Sequence, residues 1–71
     1  MTTSELKVKL FQLEIPHYCY SIGQDEEQRL CLIEESGRWI VYYNEDGERL
    51  DITEHPTEES ACGDLMARLE L

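Results

Sequence analysis

The chain has 71 residues, and its sixteen Asp and Glu against six Lys and Arg give a formal net charge of -10. Small soluble domains usually carry a net charge of magnitude roughly 2–8, so this chain is unusually acidic. The acidity argues against nucleic-acid binding, because carboxylates repel phosphate. A chain this short forms one domain, residues 1–71, with little room for an active-site cleft. Two explanations of the charge are open: it keeps a small protein soluble, or it serves a basic partner.

The cysteines are Cys19, Cys31 and Cys62, an odd number without a close pair, which argues against a disulfide framework. His17 and Cys19 have the chemistry of metal ligands, but no second pair at zinc-like spacing follows them. We therefore predict no metal and no cofactor. Charged residues interrupt the apolar residues at the start of the chain, so no signal peptide or membrane span is expected. These features favour a cytoplasmic protein with reduced thiols.

The first predicted element is a helix over residues 4–14. Ser4 is the candidate N-cap, and Pro16 ends the segment. Apolar residues recur at helical spacing and form one stripe. The stripe consists of Leu6, Leu10 and Leu13, with Phe11 beside them.

The middle of the chain predicts four strands, because runs of aromatic and β-branched residues alternate with turn signals. Ser36-Gly37 and Glu45-Asp46-Gly47 fit tight turns. Such short connectors predict antiparallel pairing. The predicted strands are residues 17–22, 29–35, 38–44 and 48–53.

A second helix is predicted after His55-Pro56, with Thr57 as its N-cap. Its apolar stripe contains Ala61, Cys62, Leu65, Met66 and Leu69. The predicted fold class is therefore α+β. It is a single small domain in which a four-stranded antiparallel β-meander is flanked by an N-terminal and a C-terminal helix, in the order α-β-β-β-β-α.

Strand alternation predicts two sheet faces of different composition. The core face collects Tyr18, Tyr20, Ile22, Leu30, Leu32, Trp39, Val41, Tyr43, Leu50 and Ile52. The second face collects Cys19, Cys31, Ile33, Ile40 and Tyr42, with Arg29, Glu35, Arg38, Arg49 and Asp51. This half-apolar composition is typical of a protein–protein contact. The alternative is that the first helix or a second copy of the chain covers the face.

No group of residues predicts an enzyme. The paired carboxylates lie at turns and helix starts, where water screens them, and general acid–base chemistry needs two carboxylates in different environments of a cleft. The four glycines are isolated, so no phosphate-binding loop is present. Cys62 lies on an apolar helix stripe, where a thiol is inert.

Five segments of the chain together form a recognisable pattern: Tyr20-Ser21-Ile22-Gly23, Leu30-Cys31-Leu32, Trp39-Ile40-Val41-Tyr42-Tyr43, Asp46-Gly47-Glu48-Arg49 and Glu58-Glu59-Ser60-Ala61-Cys62. This pattern resembles that of small bacterial immunity proteins, which are encoded beside polymorphic toxins that include contact-dependent growth-inhibition effectors. The resemblance covers residues 16–70. It departs from the family pattern at Gln24, where a second turn glycine is expected.

The resemblance implies a protein that binds and blocks a cognate toxin domain, often a nuclease. A nuclease holds phosphate with Lys and Arg, so an acidic inhibitor can occupy the same basic cleft with fast, electrostatically steered association. The resemblance assigns no contact residue. From their places on connectors and strand ends, we predict that the partner-binding residues are Asp25, Glu26, Glu27, Glu34, Glu35, Glu45, Asp46, Glu48 and Asp51, with Tyr42 as the aromatic anchor and Tyr20 as a second candidate.

A second hypothesis is a small acidic adaptor without a toxin partner. In this hypothesis the chain forms a homodimer through the face that carries Cys31, Ile33, Ile40 and Tyr42. Sedimentation of the purified chain distinguishes a stable dimer from a monomer that occludes a toxin.

Overall fold

The computed structural model describes residues 1–70, so Leu71, the last residue of the predicted domain, lies outside the described residues. The predicted α+β class and the order α-β-β-β-β-α are confirmed. The elements are α1 (Thr3–Gln12), a 3₁₀ turn (His17–Cys19), β1 (Tyr20–Ile22), β2 (Arg29–Glu35), β3 (Arg38–Glu45), β4 (Glu48–His55) and α2 (Glu58–Arg68). None of the helices in residues 1–70 has the length and apolar character that crossing a membrane requires.

The four strands form one sheet in the order β1-β2-β3-β4, and the pairing of β1 corrects the prediction. Strands β2, β3 and β4 are antiparallel, as expected, but β1 pairs with β2 in parallel, with Tyr20 opposite Leu30 and Ile22 opposite Leu32. A parallel connection usually needs a long crossover. Because β1 has only 3 residues, the chain must return only about 10 Å, at roughly 3.3 Å per residue, and the loop of residues 23–28 covers that distance.

The helix ends follow from local hydrogen bonds. The N-cap of α1 is Thr2 and not Ser4: the Thr2 side chain accepts from Glu5 N at 3.2 Å, and the Glu5 carboxylate accepts from Thr2 N at 2.8 Å. This reciprocal capping box outcompetes a cap at Ser4. The predicted cap of α2 is confirmed, since Thr57 Oγ1 accepts from Ser60 N at 3.1 Å.

Only part of the predicted apolar stripe of α1 is buried. Leu6 and Leu10 are buried, whereas Phe11 is 71% exposed and Leu13 is 48% exposed. The helix ends at Gln12, so Leu13 lies beyond its last turn. Helix α1 therefore contacts the core through a single i, i+4 pair.

The main core lies between the sheet and the two helices. Tyr20, Leu32 and Val41 are its buried strand residues. Two predicted core residues are instead exposed, Tyr18 by 71% and Ile52 by 54%. Tyr18 lies in the 3₁₀ turn, where strand alternation does not apply. The buried helix residues of this core are Leu6, Leu10, Ala61, Cys62 and Leu65.

A β-bulge in β4 explains the exposure of Ile52. Val41 pairs with Thr53 and Tyr43 pairs with Leu50, so Asp51 and Ile52 together oppose Tyr42. Asp51 takes a left-handed conformation with φ of 53°. One extra residue changes the face to which the following side chain points, so alternation misassigned both Asp51 and Ile52.

On the second sheet face, the chain's own crossover loop, and not α1, covers Cys31 and Tyr42. Cys31, Ile33, Ile40 and Tyr42 form a second buried cluster, with exposures of 0%, 8%, 6% and 0%. The Asp25 carboxylate in the loop accepts a hydrogen bond from the Tyr42 hydroxyl, and the Cys31 thiol lies 3.4 Å from the Glu26 carbonyl oxygen. None of the four side chains needs a second copy of the chain to become buried. Dimerisation through this face stays a prediction.

Cys19 also differs from its predicted position on the second face. It lies in the 3₁₀ turn and packs, half-buried, against the main core. All three cysteines are free thiols. Burial raises the pKa of the Cys31 and Cys62 thiols, so both stay protonated near neutral pH and neither is an activated nucleophile.

Candidate partner-binding surface

Exposed carboxylates collect at the end of the sheet where the β3–β4 turn meets the crossover loop. We call this set the acidic end. Glu45 and Glu48 pair directly across the strands, which places two like charges opposite each other. The set comprises Asp25, Glu27, Glu45, Asp46 and Glu48, all of them exposed residues.

Asn44 and Gln28 hold the acidic end in one arrangement. Asn44 is 1% exposed; its amide nitrogen donates to Asp25 at 2.9 Å, and its amide oxygen accepts from Gly47 N at 2.8 Å. Gln28 N donates to the Asn44 carbonyl at 2.7 Å, and Gln28 Oε1 accepts from Asp46 N at 2.9 Å. Loop and turn are therefore joined by hydrogen bonds, and their carboxylates are presented on an ordered backbone.

The arginines of the chain are all engaged elsewhere. The ion pairs are Arg29–Glu26 at 2.7 Å, Arg38–Glu54 at 2.6 Å, Arg49–Glu35 at 3.1 Å and Arg68–Asp64 at 3.1 Å. Among residues 1–70, no carboxylate of the acidic end has an arginine or lysine within ion-pair distance. Among the described residues, the carboxylates of the acidic end therefore form no ion pair, although the Arg29–Glu26 pair lies in the same crossover loop.

The structure divides the predicted site residues into groups. Asp25, Glu27, Glu45, Asp46 and Glu48 come together at the acidic end. Glu26 and Glu35 are engaged by Arg29 and Arg49, and the side-chain hydrogen bond from Arg49 holds the pKa of Glu35 below its usual range. Glu34 lies apart, at the opposite end of the sheet, where it pairs with Trp39.

Tyr42 is not available as an aromatic anchor. Its side chain is fully buried, its hydroxyl donates to Asp25, and the Arg49 guanidinium lies 4.7 Å above its ring. Desolvation, followed by the hydrogen bond to Asp25, raises the pKa of this phenol well above its ordinary value. The second anchor candidate, Tyr20, is also buried, at 9% exposure. Sequence alternation placed Tyr42 on the second face correctly but could not reveal the loop above it.

An open groove with a volume of about 740 Å³ lies beside the acidic end. It forms where α2 ends at Arg68 while the sheet continues beneath, and the 3₁₀ turn places the exposed Tyr18 at its wall. Gln28 lines the groove and also binds the acidic end, so the two surfaces adjoin. Its apolar lining is Tyr18, Cys19, Leu30, Tyr43 and Leu69, and its polar lining is Gln28, Asp51 and Arg68.

Sequence reasoning missed this groove because it assigned Tyr18 to the core. Pro16, with φ of -59°, precedes the 3₁₀ turn. Proline fixes that backbone angle, so His17-Tyr18-Cys19 directly after it could have signalled a turn in place of a strand.

A polar cluster that the sequence did not predict joins β4 to α2. His55 Nδ1 lies 2.7 Å from Ser60 Oγ, and His55 Nε2 lies 2.7 Å from Asp64 Oδ2. Arg68 donates to Asp64 at 3.1 Å and to Thr53 Oγ1 at 2.8 Å. If Nε2 donates to Asp64, Nδ1 accepts the Ser60 hydroxyl proton.

The hydrogen bonds Ser60–His55–Asp64 connect the residue types of a hydrolase catalytic triad, but two observations favour a structural role. Asp64 also binds Arg68, which competes for the negative charge that a relay needs. The cavity beside His55 is lined by Arg38, Glu54, His55 and Pro56, so Ser60 does not border it. We assign the cluster to fastening α2 onto the end of the sheet.

Comparison of the chain with protein-family models, with curated proteins and with solved structures finds no match.

Proposed function

We propose that this protein is an immunity protein that binds a cognate basic toxin domain through the acidic end and neutralises it. The observation that carries the proposal is the contrast between ordered carboxylates that form no ion pair at one end of the sheet and arginines that all pair with carboxylates outside this set. The resemblance of the strand segments to small immunity proteins supports the same function. In this function the protein acts in the cytoplasm and occludes the active site of its toxin.

A nuclease is the toxin class that fits best. Nucleases place Lys and Arg where the phosphate backbone binds, and carboxylates spaced along a turn can pair with the same groups. Because Asn44 and Gln28 already order the acidic end, binding costs little conformational entropy there. Carboxylates that form no ion pair within the chain also increase the rate of association with a basic partner at low salt, as expected of an inhibitor that must reach its toxin quickly.

The first test uses the reading frame next to this gene. Expression of its product alone should kill cells, and coexpression with this chain should restore growth. If the neighbouring product is harmless when expressed alone, the immunity function is wrong.

The second test locates the contact by charge reversal. In Glu45→Lys/Glu48→Lys, we expect association with the toxin domain to slow by about tenfold or more at low salt and its dependence on ionic strength to flatten. The matched control, Glu34→Lys/Glu59→Lys, makes the same change in net charge at the opposite end of the molecule. Stopped-flow association across a salt series measures both variants. Equal slowing in both variants would rule out the acidic end as the contact.

A further inference from the structure

The groove beside the acidic end has walls suited to one kind of side chain. Tyr18, 71% exposed, and the half-buried Tyr43 offer aromatic surface, and Leu30 and Leu69 add apolar area. Asp51 is an exposed carboxylate in the lining and has no ion-pair partner among residues 1–70. A purely apolar side chain entering this groove would desolvate Asp51 without compensating its charge.

Arg68, the cation in the lining, does not neutralise Asp51. Its guanidinium donates to Asp64 at 3.1 Å and to Thr53 Oγ1 at 2.8 Å, and these contacts direct it toward the cluster that fastens α2. The charge of Arg68 is thus already balanced, so it opposes an incoming cation only weakly. Asp51 remains the charge that an incoming side chain meets.

The molecule already contains the arrangement that this groove can form with a partner. On the second sheet face, the Arg49 guanidinium lies 4.7 Å above the Tyr42 ring and binds Glu35 through both nitrogens, at 3.2 and 3.1 Å. A tyrosine face and a carboxylate together thus hold a guanidinium here. The groove offers the same two groups, tyrosine and carboxylate, without the arginine.

We propose that the groove binds an arginine side chain of a basic protein partner. The guanidinium pairs with Asp51 and stacks on the exposed ring of Tyr18, and the methylene groups pack against Leu30 and Leu69. Lysine fits less well, because its ammonium group is compact and strongly hydrated and has no planar face to stack. The proposal rests on the proposed function for the partner's identity and adds the anchor that the buried Tyr42 cannot supply.

Binding to model peptides tests the groove without the toxin. The ¹⁵N-labelled full chain is titrated with a peptide in which arginines alternate with glycines, and with its lysine counterpart. We expect the arginine peptide to shift the amide signals of Leu30, Tyr43, Asp51 and Leu69 and to bind at least about threefold more tightly than the lysine peptide.

Three variants distinguish binding in the groove from general attraction of a basic peptide to the negative charge of the protein. Asp51→Asn should weaken arginine-peptide binding about threefold, and asparagine tolerates the left-handed backbone at this position. Glu59→Gln, the charge-matched control at the opposite end of the molecule, should weaken both peptides equally and only slightly. Tyr18→Ala, a change at an exposed residue, should abolish the preference for arginine over lysine.

Equal binding of the two peptides, or equal effects of Asp51→Asn and Glu59→Gln, would overturn the groove proposal. The toxin experiments are independent of this outcome. If Glu45→Lys/Glu48→Lys loses its salt-dependent association with the toxin but the peptides do not bind in the groove, only the groove proposal is wrong. If the arginine peptide binds in the groove but the neighbouring gene product is not toxic, only the immunity function is wrong.

Discussion

At the scale of single residues, Asn44 is the polar side chain on which the acidic end depends. It is 1% exposed, and its amide satisfies both the Asp25 carboxylate and the Gly47 backbone N–H. Removing the amide breaks both hydrogen bonds, which are partly buried, and leaves a gap at a buried position. We expect Asn44→Ala to lower the free energy of unfolding by about 2 kcal/mol, measured by urea denaturation.

Gln28→Ala is the comparison for this prediction. The Gln28 side chain also accepts a backbone hydrogen bond, from Asp46 N, but at an exposed site where water can replace the side chain as acceptor. We expect a loss of less than about 0.5 kcal/mol. Similar losses in the two variants would mean that Asn44 has no special role in joining the loop to the turn.

Asp64 makes stability depend on pH. Burial raises its pKa, but hydrogen bonds from His55 and Arg68 outweigh burial, so the pKa lies below its ordinary value. The folded protein therefore keeps Asp64 ionised where the unfolded chain binds a proton. The resulting stabilisation is complete above the ordinary carboxyl pKa of about 4 and is lost as the pH falls through the folded-state value.

The variant Asp64→Asn tests this linkage. We expect it to be less stable than the parent by about 1 kcal/mol at neutral pH, a value reduced for the partial exposure of the site. The difference should shrink between about pH 5 and pH 2, because the parent also loses the charge there. Denaturation curves across this range measure it, with Glu27→Gln, which breaks no ion pair, as the control. A difference that is constant with pH contradicts the linkage.

At the scale of elements, the sequence predicted correctly those strand bounds, helix caps and turns that depend on interactions between neighbouring residues. Strand β2 spans residues 29–35, as predicted, and Thr57 caps α2 as its sequence indicated. The turns at Ser36-Gly37 and Asp46-Gly47 also form, with positive φ at both residues of each pair. These features depend on residues only a few positions apart.

Features set by distant contacts could not be read in the same way. The parallel pairing of β1 depends on a loop that folds over Tyr42, and the exposure of Ile52 depends on one extra residue in β4. Neither leaves a periodic signal in the sequence. The sequence therefore indicated the exposed charges of Glu45 and Asp46 in the candidate surface. It did not indicate the burial of Tyr42 or the groove at Tyr18.

The turn between β2 and β3 gives an element-scale prediction. Ser36 and Gly37 have φ of 54° and 79°, the pattern of a type I′ hairpin turn. Asparagine adopts the first of these conformations more readily than serine. We expect Ser36→Asn to raise the free energy of unfolding by about 0.5 kcal/mol in thermal or urea denaturation.

Gly37→Ala should have the opposite effect. No atom lies within 4 Å of a methyl group placed at Gly37, so the change costs only backbone strain, about 1 kcal/mol. If Ser36→Asn destabilises while Gly37→Ala is neutral, the turn is not of this type.

At the scale of the whole molecule, net charge and dimensions together set the response to salt. The molecule measures 29 × 26 × 18 Å and carries a formal net charge of -10. At about 0.01 M salt the screening length is roughly 30 Å, so every carboxylate repels every other; at about 1 M it is roughly 3 Å. We therefore expect the free energy of unfolding to rise with NaCl over the lower part of this range.

Glu48→Gln and Glu35→Gln distinguish the effect of neighbouring charges on stability from the effect of net charge. Both variants remove one carboxylate and so change the net charge equally. Glu48 faces Glu45 across the strands, so its removal relieves a direct repulsion, whereas Glu35 binds Arg49 through two hydrogen bonds. At low salt we expect Glu48→Gln to be more stable than the parent and to depend less on NaCl. Glu35→Gln should gain nothing, since the relief of net charge is offset by the loss of its arginine. Urea denaturation at low and high NaCl measures the stability of both variants. Equal stabilisation in the two variants would show that net charge alone limits stability, and not the repulsion between Glu45 and Glu48.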